Sequence, residues 1–404
     1  MFSPRPPHSF AREADDPELR VLHRAALTCL VLAAATGMLW RVQSAFGIAS
    51  LDFRHVRHAH SHLMFFGWVT PAAMAQITLA VRRRNPSSAV PRKTIWLALV
   101  LGLLSHPLFL AFGYGKAQLG GRALPLSVIV AGASTWVWYA FVAWYLRERR
   151  RRRLRLPLVD IALSLLMLST LGAWGLSALI PLHVKDPLWS ELLKSQFLST
   201  FSEGWLVAAG LHALHLKPAV NPATTGRIAN VLFAASAPFA FLSTLAPQQL
   251  PSLVAVGSSV ASVALGVALL LQAHVAHRAG AYRIPLVFLA FAGLARIVVG
   301  VTPGVSWHAL HGLRILVLHA LLLGFATLSL SAVRSRLRAL EASAATLLVL
   351  SVAPLTEIWP RAWAGTWALY MAVMAAAAMT AVFAFSALDV GRPTPPQRSP
   401  RPQP

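Results

Sequence analysis

Apolar residues run along this chain in blocks of membrane-spanning length, broken by short polar loops. The blocks lie at 23–43, 59–81, 94–115, 124–146, 158–182, 193–216, 228–247, 252–275, 283–302, 311–333, 340–358 and 363–387. About 20 apolar residues cross a bilayer as a helix. The pattern therefore predicts an all-α, polytopic helical bundle of about twelve transmembrane helices. Pro354 and Glu357 interrupt the run at 340–358, the least regular of the twelve. Before the runs lies a polar segment, 1–22, with a short surface helix expected after Pro17. The transmembrane domain spans 23–388, and 389–404, rich in Pro and Arg, reads as a disordered tail.

Composition agrees. Of 404 residues 56% are hydrophobic and 12% charged, against about 25% charged in a soluble domain. A net charge of +23 raises nucleic acid as a partner, but the basic residues sit in short loops between apolar runs. That is how topology determinants are distributed at an anionic bilayer face, so no nucleic-acid partner is expected. With the N-terminus inside, 26 Lys and Arg fall on the inner side and nine on the outer; both termini are thus expected to be cytoplasmic. The run Arg149 to Arg153 reads as a stop for translocation. Cys29 is the only cysteine, which excludes an intrachain disulfide or a thiolate cluster. Gly300 and Gly304 form a small-xxx-small pair suited to close helix packing.

That orientation gathers the deep polar residues into the outer half of the membrane. The second run opens on Arg57-His58-Ala59-His60-Ser61-His62-Leu63-Met64-Phe65-Phe66-Gly67-Trp68. On a helix His58 and His62 share a face, and His60 points about 200° away. On the tenth run, His308 and His311 lie at the outer mouth, then Arg314 and, deeper, His319; Glu203, His106 and Arg296 complete the group. Ionisable groups within a bilayer are costly and mark functional sites by default. Two imidazoles from different helices can ligate a haem from both sides, with Arg314 and Arg296 at a depth suited to its propionates. A metal-only site of His60, His62, His106 and Glu203 is an alternative, as is a proton path through Glu203. Glu203 paired with Arg296 is the structural alternative for both. His8, His23, His55, His183, His212, His215, His274 and His277 fall at loops or helix ends and read as solvated.

The motif His60-Ser-His-Leu-Met-Phe-Phe66-Gly67-Trp68 resembles the second helix of the haem-copper oxidase superfamily, closest to its nitric oxide reductase branch. It is also similar to the His-x-His-x-x-x-Phe-Gly of the NnrS family, twelve-helix haem- and copper-containing membrane proteins linked to nitric oxide stress. His319-Ala-Leu-Leu-Leu-Gly324 resembles the superfamily's His-x-x-x-x-Gly and the late helix of NnrS. The resemblance implies an oxidase subunit I-like fold in a bacterial inner membrane. It makes His60 and His319 the axial pair of a haem b, gives His62 a second NnrS-like position, and brings copper and respiratory-chain or denitrification partners into view. Val317 stands where true oxidases carry a further histidine, and the run at 228–247 has no histidine for a copper site. Reduction of oxygen or nitric oxide at a dinuclear centre is therefore not expected. The leading expectation is a haem-binding membrane protein with a redox, electron-transfer or nitric oxide-related role. The alternatives are a proton-coupled secondary transporter using Glu203 and Arg296, and an assembly partner of a respiratory complex.

Overall fold

The structure, a computed structural model, describes residues 17–47, 52–179, 182–214, 224–302, 305–331, 337–363 and 365–389. Helix α1 (Pro17–Phe46) has no proline after its first residue, and it runs unbroken through the expected surface helix and the first span. The second run is one long helical rod: α2 (Phe53–His62), a π-helical stretch Leu63–Val69, and α3 (Thr70–Arg84). Then come α4 (Arg92–Phe112), α5 (Leu126–Arg152), α6 (Pro157–Leu179) and α7 (Pro187–Ser199), which passes through π-turns at Thr200–Trp205 into α8 (Leu206–Leu214). After α9 (Thr224–Ser236), α10 (Ser252–Arg278) and α11 (Arg283–Val301) comes α12 (His311–His319). It continues through π-turns at Ala320–Thr327 into α13 (Leu328–Leu330); α14 (Leu337–Leu347), a π stretch Leu348–Val352 and α15 (Thr366–Asp389) complete the chain.

Among the described residues, nine helices are long and apolar enough to cross a membrane, the make-up of a multi-pass membrane protein. The other three expected spans differ from the nine in physical detail. Pro187–Leu214 is helical but carries Glu191, Lys194 and Glu203. The run at 228–247 breaks after Ser236, where Pro238 ends α9 and a 3₁₀ turn, Ala240–Thr244, follows. The run at 340–358 leaves the helix at Pro354, in the turn Ala353–Leu355. The expected tail from 390 onward, and residues 1–16, lie outside the described residues. So do His8, His215 and Gly304.

The outer faces of the bundle are apolar: Leu253 is 85% exposed and Trp136 66%, as lipid-facing residues are. Two rods sit at the centre. The apolar window of Phe53–Arg84 is 89% buried and that of His311–Leu330 67%, whereas the other seven reach 39% at most. These are the rods that carry His60 and His319. Small residues let helices close in around them. A Cβ on Gly102 of α4 would come within 2.7 Å of the Gly67 Cα, so the glycine of the Phe-Gly-Trp motif marks a backbone-to-backbone crossing. Between α10 and α11, Gly293 faces the Gly266 carbonyl, and Gly300 packs on Val263.

Among the described residues outside the helices there is one two-stranded hairpin, β1 (Ala117–Leu119) and β2 (Arg122–Leu124), at the loop between the third and fourth apolar runs. Its turn is Gly120-Gly121, with φ of +56° and +78°, the left-handed pair that a tight two-residue turn needs.

Candidate cofactor site

The central rods are tied to each other. Trp68 Nε1 donates to Thr327 Oγ1 at 3.0 Å, and Gln76 Nε2 to the Leu330 carbonyl at 3.4 Å. The two rods therefore run in the same direction. His60 lies eight residues before Trp68, and His319 eight before Thr327, which sets the two imidazoles at the same level. Trp68 is fully buried. Trp68→Phe removes this tie and part of the indole volume, and should cost on the order of 1–3 kcal/mol. Thermal unfolding of the purified protein checks it; an unchanged midpoint would show that the tie carries no weight.

His60 and His319 line one cavity with an empty volume of ≈ 530 Å³, part of it open to the surface. Each ring is held the same way. His60 Nδ1 donates to the Ala33 carbonyl of α1 at 2.8 Å, and His319 Nδ1 to the Ile315 carbonyl one turn back at 2.8 Å. Such bonds fix the tautomer and leave the Nε2 lone pair for a metal. Neither Nε2 has a hydrogen-bond partner among the described residues. Gly37 makes the first of these bonds possible. It follows Ala33 by one helical turn, and a Cβ there would lie 2.9 Å from the His60 ring. Both histidines are followed closely by π-turns, and a third π stretch supplies Ser351 and Val352 to the cavity wall. Such turns concentrate at functional sites.

The cation of this cavity is Arg41, near the C-terminal end of the first apolar run. Leu30, Ala34, Gly37 and Arg41 form one stripe of α1 facing the cavity, at the i, i+4, i+7 spacing of a helix face. Arg41 is buried, with its guanidinium 5.5 Å from the Trp40 ring centroid. It makes no ion pair or hydrogen bond among the described residues. A sequence signal for it exists in that stripe, where a glycine and an arginine interrupt an apolar face.

Arg296 and Arg314 lie elsewhere, so the propionate role expected for them beside the histidine pair is not what the packing gives. With Glu203 they line a second cavity of ≈ 390 Å³. All five N–H donors of Arg296 are in use. Nε bonds Glu203 Oε2 at 2.6 Å, Nη2 bonds Glu203 Oε1 and Ser199 Oγ, and Nη1 bonds the Ala240 carbonyl and Ser243 Oγ. The guanidinium also lies 5.1 Å from the Trp307 ring centroid. A forked, saturated pair of this kind is a structural element. It leaves Arg296 no donor for a cofactor, and Glu203 is committed to it rather than aimed at a proton path.

His62 and His106 are each engaged by other partners. His62 stacks on Phe109 at 3.8 Å between centroids, and its Nε2 is 3.2 Å from the Tyr114 hydroxyl. His58 meets the same Tyr114 edge-on at 4.6 Å, so the two share a face toward α4 as helical spacing predicts. His106 Nε2 lies 2.9 Å from Thr36 Oγ1, and since Thr36 gives its own proton to the Leu32 carbonyl, the ring is the donor. Among the described residues no three or more of His, Cys, Asp or Glu form a group able to hold a metal ion. The set His60, His62, His106 and Glu203 is thus not assembled, and copper has no ligand set there. Two histidines read as solvated are buried: His23, edge-on to Trp68 at 5.8 Å, and His212.

The cavity thus sets two imidazoles and one guanidinium in an otherwise largely apolar lining. No protein-family model and no curated protein matches the chain.

Proposed function

We propose that the chain is a haem-binding membrane protein of the NnrS-like or oxidase-like kind, with His60 and His319 as the two axial ligands and Arg41 as the cation for the cofactor's carboxylates. The observation that carries this reading is the matched pair of imidazoles: one cavity, one level, each Nδ1 committed to a backbone carbonyl and each Nε2 free. When bound, a haem supplies one-electron exchange. Ligation by two histidines leaves no coordination position open, so electron transfer fits better than chemistry on a bound gas. The protein's part is to fix both rings, to exclude water with the buried walls of the central rods, and to offset the negative edge with Arg41. In this reading the chain has twelve spans in a bacterial inner membrane with both termini cytoplasmic, as the inner-side excess of Lys and Arg favours.

The test is the absorption spectrum of the full chain purified from membranes, with haem quantified per chain. The expected result is a Soret band at one haem b per polypeptide. A folded, monodisperse, colourless protein that takes up no added haem would refute the reading.

A further inference from the structure

The second cavity carries a charge that its own residues do not offset. Glu203 cancels Arg296. Arg314 lines the same space and makes no ion pair or hydrogen bond among the described residues. A guanidinium cannot shed its proton to escape burial, so the cavity holds one net positive charge. The neighbouring hydroxyl protons are already placed: Ser202 Oγ donates to the Leu198 carbonyl at 2.5 Å and Ser199 Oγ to Glu203 Oε1 at 3.2 Å. Free donors for a ligand are therefore those of Arg314, a planar fork that matches a carboxylate in two parallel bonds, and the unpartnered Nε1 of the buried Trp307. Along the same face of the rod, one and two turns on from Arg314, the wall is apolar, formed by Val317, Leu318 and Leu321.

We infer that this cavity is a binding site for a small monocarboxylate, its carboxylate on Arg314 and its alkyl part against Val317, Leu318 and Leu321. The charge sets the ligand at one negative charge, and the fork sets its planar headgroup. The apolar wall favours a short chain over formate or acetate. The site does not rest on the haem reading. It belongs to a different face of the α12 rod from His319, so either can fail without the other.

Calorimetric titration of the purified full chain with acetate and with butyrate, in a zwitterionic buffer free of other carboxylates, tests it. Saturable binding at one site per chain is expected, with butyrate on the order of tenfold tighter than acetate because two methylenes are buried. Arg314→Gln should weaken butyrate binding by more than about tenfold, the loss of a charge-assisted fork; Arg314→Lys should keep part of it. Arg41→Gln and His60→Ala, which alter the other cavity, should bind butyrate as the wild type does. Should Arg314→Gln fail to fold, Leu318→Trp fills the cavity without touching the charge and should abolish binding. No saturable binding, equal binding by the Arg314→Gln or Leu318→Trp protein, or competition by haem loading would overturn the proposal.

Discussion

His60→Ala and His319→Ala should each remove the low-spin haem spectrum, while His277→Ala, in the last turn of α10, should leave it unchanged. Each substitution deletes one of two axial nitrogens and keeps the cavity walls, so the protein should still fold. Loss of one axial ligand leaves at best a five-coordinate, weakly held cofactor. The loss should exceed that of any wall substitution, because the neighbouring imidazoles are committed elsewhere: His62 is stacked on Phe109 and His106 donates to Thr36. Arg41→Gln should have a smaller effect, lowering occupancy without changing the ligation. A single histidine variant with an unaltered spectrum would remove that residue from the site.

The other large effect belongs to the Glu203–Arg296 pair, whose side chains are 12% and 2% exposed. Breaking a buried pair by removing one partner costs about 3–5 kcal/mol, because the remaining charge is stranded. The two single changes should not be equal. After Arg296→Met the carboxyl can bind a proton and become neutral. After Glu203→Leu the guanidinium stays charged, now beside Arg314 with nothing to offset either. Glu203→Leu should therefore lower the thermal midpoint more than Arg296→Met, and the double variant should recover most of the loss. Thermal unfolding of the three purified variants decides it; singles as stable as the wild type would mean that the pair is not the buried clamp described above.

The rods that matter were legible in the sequence because apolar run length reports a span and histidine spacing reports a face. His58 and His62 on one side, with His60 on the other, follow from helical geometry alone, and the structure keeps that division. Which way a residue within a run turns was not legible. Arg296 and Arg314 face another cavity, and that depends on which helix packs beside them. Arg41 stands near the end of the first run, and its stripe with Gly37 turns it toward the cavity. The π-turns after His60 and His319 are set by tertiary packing, and no local residue pattern announces them. His23 and His212 were read as solvated from their position at helix ends, yet neighbouring helices extend far enough to cover them.

The central claim is that two imidazoles, from the second and tenth apolar runs, ligate one iron. Electron paramagnetic resonance of the ferric protein as purified tests it most directly. The account predicts a six-coordinate, low-spin signal with two imidazole ligands, converted to high-spin or lost in either His60→Ala or His319→Ala. A high-spin signal in the wild type, or a low-spin signal that survives both substitutions together, would contradict it.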